Sequence, residues 1–224
     1  MSMKPEKDKK MPQDIINESG YPLQIHLENQ INSTHDKHHW SVLVHEHRWI
    51  HPNTEEESFV DLILQHDSLT LRLVIECKRI NGTWTFLLPD RRYDEVLRAR
   101  TLISHHEQSA FPIMWGEYLF NPESCESAFC VMETGGRKDS RTLEDLSDLL
   151  LLSVESIALQ ERSLRWKLPQ GWTTRLYLPL VVTTAKLQKA IFLPSDVSVE
   201  DGEISRREIG EVKMIRFRKI FQWK

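Results

Sequence analysis

Asp61, Glu76 and Lys78 are the residues of this chain whose types and spacing carry a definite chemistry. Asp61 interrupts the apolar run Phe59 to Gln65, and Glu76-Cys77-Lys78 closes a second apolar run that starts at Leu69. A Mg²⁺ ion prefers octahedral oxygen coordination and keeps several waters, so one or two carboxylates, a backbone carbonyl and a substrate phosphate satisfy it. Asp61, Glu76 and the carbonyl of Cys77 offer such a set, with Mn²⁺ as the alternative ion. A metal held there lowers the pKa of a bound water and offsets charge on a phosphorane-like transition state. Lys78 then orients the attacking water or stabilises the developing negative charge. Glu28 is the remaining candidate, reaching the metal through water or helping to hold a second ion.

These residues need a sheet to hold them. Strand alternation puts Thr70, Arg72, Val74, Glu76 and Lys78 on one face, and Leu69, Leu71, Leu73, Ile75 and Cys77 on the other. If the two runs close into a hairpin through Asp67 and Ser68, Asp61 falls opposite Val74 or Glu76, on the Glu76 face. Two carboxylates then meet across about 5 Å. Like charges facing one another are unfavourable unless a cation intervenes, yet taken alone these residues also suit a half-buried sheet whose polar face shows Asp61, with Glu76 and Lys78 as an ordinary surface charge pair.

Upstream, Ser19-Gly20-Tyr21-Pro22 is a helix start, and Leu23, Leu27 and Ile31 have amphipathic spacing, with Glu28 on the same helix. Trp40 to Ile50 reads as a strand with Val42, Val44, Glu46, Arg48 and Ile50 on one face and Leu43, His45, His47 and Trp49 on the other. Downstream, Ile80 to Trp84 suggests a turn, Tyr93 to His105 a helix, and Phe111 to Phe120 an apolar segment, together an insertion. Ser140 or Thr142 can cap a long helix from Leu143 to Arg162, whose apolar stripe of Leu146, Leu149, Leu150, Val154 and Ile157 must pack on the sheet. The apolar run within Arg175 to Thr184 predicts a buried strand beginning after Pro179, with further strands at Ala190 to Leu193 and Val212 to Phe221.

Ser19-Gly20-Tyr21-Pro22 with helical Glu28, then Val60-Asp61, then Glu76-Cys77-Lys78 after Leu73-Val74-Ile75, and finally the long helix and the Pro179-to-Ala185 strand, together resemble the restriction-endonuclease-like superfamily and its PD-(D/E)xK motif. Val60 stands where the motif has proline. The resemblance implies an α/β (α+β) fold with an αβββαβ core, a mixed central sheet flanked by helices, an insertion and a C-terminal β extension. The expected organisation is a disordered tail over 1–18, a nuclease-like domain over 19–193 with its insertion at about 79–139, and the extension over 194–224. It implies a Mg²⁺-dependent nuclease that hydrolyses phosphodiester bonds in DNA, with Asp61 and Glu76 as metal ligands and Lys78 as the catalytic lysine; cutting two strands needs two active sites or two events, for which a homodimer is one arrangement. The alternative is a catalytically inactive relative that uses the fold as a nucleic-acid or protein-binding module.

Composition narrows the remaining classes. No apolar run approaches the roughly 20 residues of a membrane span, and the lysine-rich Met1 to Met11 segment lacks an apolar signal region, so the expected location is the cytoplasm. Three cysteines, Cys77, Cys125 and Cys130, make no disulfide framework. The net charge of −4 argues against a uniformly basic DNA-binding surface but allows a local basic groove; Arg72, Lys78, Arg79, Arg91, Arg92, Arg98 and Arg100 accumulate near the hairpin and are read first as a solvated face of a mixed-charge surface. His45 and His47 share a strand face and are read as surface or half-buried histidines, since no paired cysteines support zinc. Trp84, Trp115, Trp166 and Trp172 are read chiefly as packing residues, with base stacking as the functional option. Gly135-Gly136 lacks the lysine of a phosphate loop.

Overall fold

Helix α1 (Tyr21–Ser33) starts behind Gly20, whose φ of 83° lies in the left-handed region, and carries Pro22 in its first turn, where a missing N–H leaves no hydrogen bond unmade. This computed structural model describes residues 11–13, 16, 19–51, 54–89, 98–105, 113–119, 124–134, 143–163 and 174–218. After α1 come a single-turn helix α2 (His35–His38) and strands β1 (Trp40–Ile50), β2 (Glu57–His66), β3 (Leu71–Lys78) and β4 (Gly82–Leu88). Next are β5 (Arg98–His105), β6 (Ile113–Leu119), β7 (Glu126–Ser127), β8 (Phe129–Thr134) and the long helix α3 (Leu143–Ser163). The chain continues through β9 (Thr174–Thr183), β10 (Lys186–Ile191), β11 (Glu208–Glu211) and β12 (Arg216–Phe217).

The strands form a mixed α/β architecture, mostly strand, in which the six-stranded and the four-stranded sheet each combine parallel and antiparallel pairs. Six strands lie in the order β1-β2-β3-β9-β5-β6, four in the order β11-β10-β4-β8, and β12 pairs with β7. β1, β2 and β3 form an antiparallel meander, and β9 joins β3 in parallel, so the chain must cross over between them. α3 lies in that crossover. Its Leu150, Val154, Ile157 and Ala158 pack on Val60, Ile63, Val74, Leu102 and Tyr177 of the six-stranded sheet. α1 covers the opposite face, where Ile31, with Leu23 and Leu27 beside it, meets Leu62, Leu64, Ile75 and Cys77. Full burial of side chains such as Leu62 and Ile157 contributes roughly 1.5–3 kcal/mol each. A third cluster joins Trp84, Phe86 and Leu88 of the four-stranded sheet to Leu143 and Leu146 at the start of α3. Among the described residues, no helix is long and apolar enough to cross a membrane.

Several sequence expectations change. The β2–β3 connection does turn at Asp67 and Ser68, but Leu69 lies in it at φ 63° and β3 begins at Leu71. The helix expected over Tyr93 to His105 is instead a strand from Arg98, with residues 93–97 outside the described ones. β-Branched Thr101 and Ile103 fit the pleat, and the edge of β9 supplies a ladder that no local propensity announces. Gly82 to Trp84 open β4, not a turn, because Trp84, Phe86 and Leu88 alternate into a core. The segment read as an insertion therefore adds β5 and β6 to the six-stranded sheet and β4 and β8 to the second. β9 begins at Thr174, five residues before Pro179. Pro179 is tolerated because its missing N–H points toward β5, whose ladder has ended at Tyr177. Of the strand expected over Val212 to Phe221 only Arg216–Phe217 pairs, with β11 lying before it and residues 219–221 outside the described ones. Gly135, Gly136, Ser140, Thr142, Trp166, Trp172 and the residues 1–10 also lie outside them.

Candidate functional site

The pairs His45↔Leu62 and His47↔Val60 set Glu46 opposite Asp61, and Leu62↔Ile75 leaves Asp61 level with Glu76. Three acids thus occupy one row across three adjacent strands. At that row the pleat slips. Leu62 faces α1 while Val60, two residues away, faces α3, and the partner strand does the same, with His45 toward Glu28 of α1 and Trp49 in the α3 core. Residues two apart on a regular strand share a face, so both strands change phase between these pairs. Glu46 absorbs the change with a φ of 49° in the left-handed region.

The slip turns Asp61 toward the start of α1. There it lines an open polar cleft of about 160 Å³ with Ser19, Tyr21, Gln24, Glu46 and Lys78. Asp61 Oδ2 accepts the Cys77 backbone N–H at 2.5 Å, and buried Gln24 donates from Nε2 to the Asp61 carbonyl at 3.0 Å. Burial raises the Asp61 carboxyl above the ordinary 3.8, and the Glu46 charge adds to this against the opposing effects of the Cys77 hydrogen bond and Lys78. Backbone groups alternate along a strand. The Lys78 carbonyl faces the β9 side and accepts the Thr184 N–H at 3.2 Å, so the Cys77 carbonyl faces the β2 side, beside Asp61.

Glu76 turns the other way. Its side chain lines a small cavity under α3 with Trp49, Ser58 and Ser153. Lys78 links the two sides: its Nζ donates to Glu76 Oε1 at 2.7 Å while its side chain also lines the Asp61 cleft. The expectation that Asp61 and Glu76 present their carboxylates on one face is therefore corrected. They share a row, but the pleat slip sends them to different walls, and Lys78 stands between them.

Glu28 is not brought into the cleft. Its carboxylate lies 3.9 Å from His45 Nδ1, one helical turn beyond Gln24, which takes the place beside Asp61. Sequence reasoning missed Gln24 and Glu46. Gln24 sits four residues before Glu28 and so on the same helix face, a signal that was available. Glu46 had none, because its role depends on a left-handed residue that no glycine or asparagine marks.

Other candidates separate from the site. His45 and His47, expected to share a face, are split by the slip, and the His47 Nε2 atom is buried on the far side. His35 and His39 instead meet the Asp67 carboxylate at 3.1 and 3.4 Å, and the His35 hydrogen bond foremost holds the Asp67 carboxyl below its usual value. Cys77 is buried, and desolvation pushes its thiol up to about 12, as expected of a core residue. Trp84 is buried in the second core, and Arg72 is buried under α3, so neither faces a nucleic-acid surface. Among the described residues, no three His, Cys, Asp or Glu side chains converge to hold a metal ion. No family model matches the chain, and no match is found among curated proteins or solved structures.

Proposed function

We propose that this chain is a metal-dependent nuclease of the restriction-endonuclease-like type that hydrolyses phosphodiester bonds in DNA. The row Glu46, Asp61, Glu76, with Lys78 reaching both Glu76 and an open polar cleft, carries the proposal. A helix followed by three antiparallel strands and then, after the intervening β4 to β8, a crossover helix and a strand parallel to β3 supports it. The donor chemistry fits Mg²⁺ or Mn²⁺ at Asp61: its carboxylate and the Cys77 carbonyl are oxygen donors at one cleft wall, while Glu76 faces the other wall and joins the cleft through Lys78. It does not fit a structural zinc site, which needs four N or S donors around one point. When bound, the metal supplies an acidified water and neutralises charge at the phosphate.

The protein's own groups then have distinct work. Gln24 fixes the Asp61 backbone, and the Cys77 N–H fixes its carboxylate. Glu76 aims Lys78, whose ammonium has three donors and can serve both Glu76 and a non-bridging phosphate oxygen in the cleft. Cleavage of both DNA strands by two such sites in a homodimer is part of the same proposal.

The test is plasmid and oligonucleotide cleavage in Mg²⁺ and in Mn²⁺, comparing the parent with Asp61→Ala, Glu76→Ala and Lys78→Ala. Each should lose on the order of 100-fold or more in rate, about 2.7 kcal/mol of barrier. Cleavage that survives in both Glu76→Ala and Lys78→Ala removes the site assignment.

A second proposal, an inert fold used as a nucleic-acid or protein-binding module, draws on two observations. Glu76 is paired with Lys78, and Asp61 is engaged by its own neighbouring strand. Calorimetry separates the two. A module binds DNA or a protein without taking up Mg²⁺ or Mn²⁺, whereas the nuclease binds the metal through Asp61.

A further inference from the structure

The cavity behind Glu76 holds a second clue. Trp49 is 2% exposed, and its indole Nε1 is buried without a hydrogen-bond partner. A buried donor left unmade costs about 1–3 kcal/mol, so native structures rarely keep one. Trp49 is among the residues lining a cavity of about 20 Å³, whose polar residues besides it are Ser58, Glu76 and Ser153. One water molecule needs at least about 10–15 Å³ and two to four polar partners. The volume meets the first, and Trp49, Ser58, Glu76 and Ser153 are the polar residues available for the second. A carboxylate has about four lone-pair sites, so Glu76 can accept from several donors besides Lys78, and Ser153 Oγ, which donates to the Leu150 carbonyl at 2.8 Å, can also accept.

We propose that this cavity binds one structural water that accepts the Trp49 indole N–H and donates to the Glu76 carboxylate, making Trp49 a positioning residue for Glu76. The water fixes Glu76 from behind while Lys78 fixes it from the cleft side. Trp49 touches no substrate. It acts through the orientation of Glu76, and that functional half rests on the nuclease proposal.

The water is tested by NMR on the full chain, without reference to activity. The indole proton of Trp49, assigned by its disappearance in Trp49→Phe, should show a cross-relaxation peak to a long-lived water, and its resonance should move in Glu76→Gln. An absent cross-peak overturns the inference. For the positioning role, Trp49→Phe keeps one aromatic ring in the core and removes the pyrrole ring with its N–H, so kcat should fall about tenfold with KM unchanged. Ser153→Val, which fills the cavity and leaves Trp49 in place, should remove the cross-peak and lower kcat alike. Unchanged kcat in both variants overturns the positioning role. A parent that cleaves nothing overturns the nuclease proposal and the positioning role together, while the cross-peak still decides whether the water is there.

Discussion

Replacing Glu161 by glutamine should cost this fold about 3–5 kcal/mol, the usual loss when one partner of a buried ion pair is removed. Glu161 stands on α3 between two arginines whose side chains are only 5% and 8% exposed, Arg72 of β3 and Arg175 of β9. Arg175 donates to Glu161 Oε2, and the Tyr177 hydroxyl donates to the same oxygen at 2.8 Å. Arg72 Nη1 lies 3.5 Å from Oε1 in a Coulombic contact without hydrogen-bond geometry, and Arg72 Nε is also buried and unpaired. Burial foremost, with Arg175 adding to it, pulls the Arg72 guanidinium below its ordinary value. One carboxylate thus serves two buried cations, and a neutral amide of the same shape removes the charge while keeping an acceptor. In a chain of this size each kcal/mol moves Tm by about 2–4 °C, so Glu161→Gln should melt roughly 6–20 °C lower. Arg72→Met removes the cation with unmade hydrogen bonds and should be neutral or stabilising. In the Glu161→Gln background it should recover at least about 1 kcal/mol beyond additivity. Urea denaturation with m held constant, supported by calorimetry, measures all four proteins. A loss under about 1 kcal/mol in Glu161→Gln, or no coupling in the cycle, refutes the reasoning.

Three further outcomes follow from the site. Because burial raises the Asp61 carboxyl, the folded chain holds that proton more tightly than the unfolded one, so the stabilisation is present below 3.8 and is lost as pH rises through the folded value. Asp61→Asn, which can still accept the Cys77 N–H, should therefore match or exceed the parent in Tm at neutral pH and converge with it in acid; a lower Tm at neutral pH contradicts this. The Cys77 and Cys130 thiols, both pushed up to about 12 by burial, should resist an aromatic disulfide reagent at pH 8 until urea is added, and rapid labelling of the folded protein counts against it. Under the nuclease proposal, Glu28→Ala should leave cleavage within about twofold, since its carboxylate faces His45; a loss near 100-fold would return Glu28 to the site.

What was legible in the sequence was whatever depends on local alternation. The β3 faces, with Val74 and Glu76 toward α3 and Ile75 and Cys77 toward α1, follow directly from a period of two. The apolar stripes of α1 and α3 likewise gave their packing faces. Legibility ended where a partner strand decides the conformation. Thr101 and Ile103 are strand residues because β9 pairs with them, and nothing near them in sequence announces β9. The same limit applies within the site. The row of acids follows from the hairpin register, but the wall each acid faces depends on a left-handed Glu46, a conformation for which the residue type has no preference.

The pleat slip at Glu46 and Asp61 also constrains how this sequence can change length. With one residue between His45 and His47 and one between Leu62 and Val60, deleting both Glu46 and Asp61 would join neighbours that already face opposite sides, giving regular alternation from Val44 to Ile50 and leaving the separate register shift between Val42 and Val44 in place. Removing either one alone would put every later pair out of register and turn apolar side chains to solvent. Length variation at this row is therefore neutral to the sheet only in matched pairs, one residue from each strand. The shortened hairpin would fold with its cores intact and without the acid that Gln24 and Cys77 hold in the cleft.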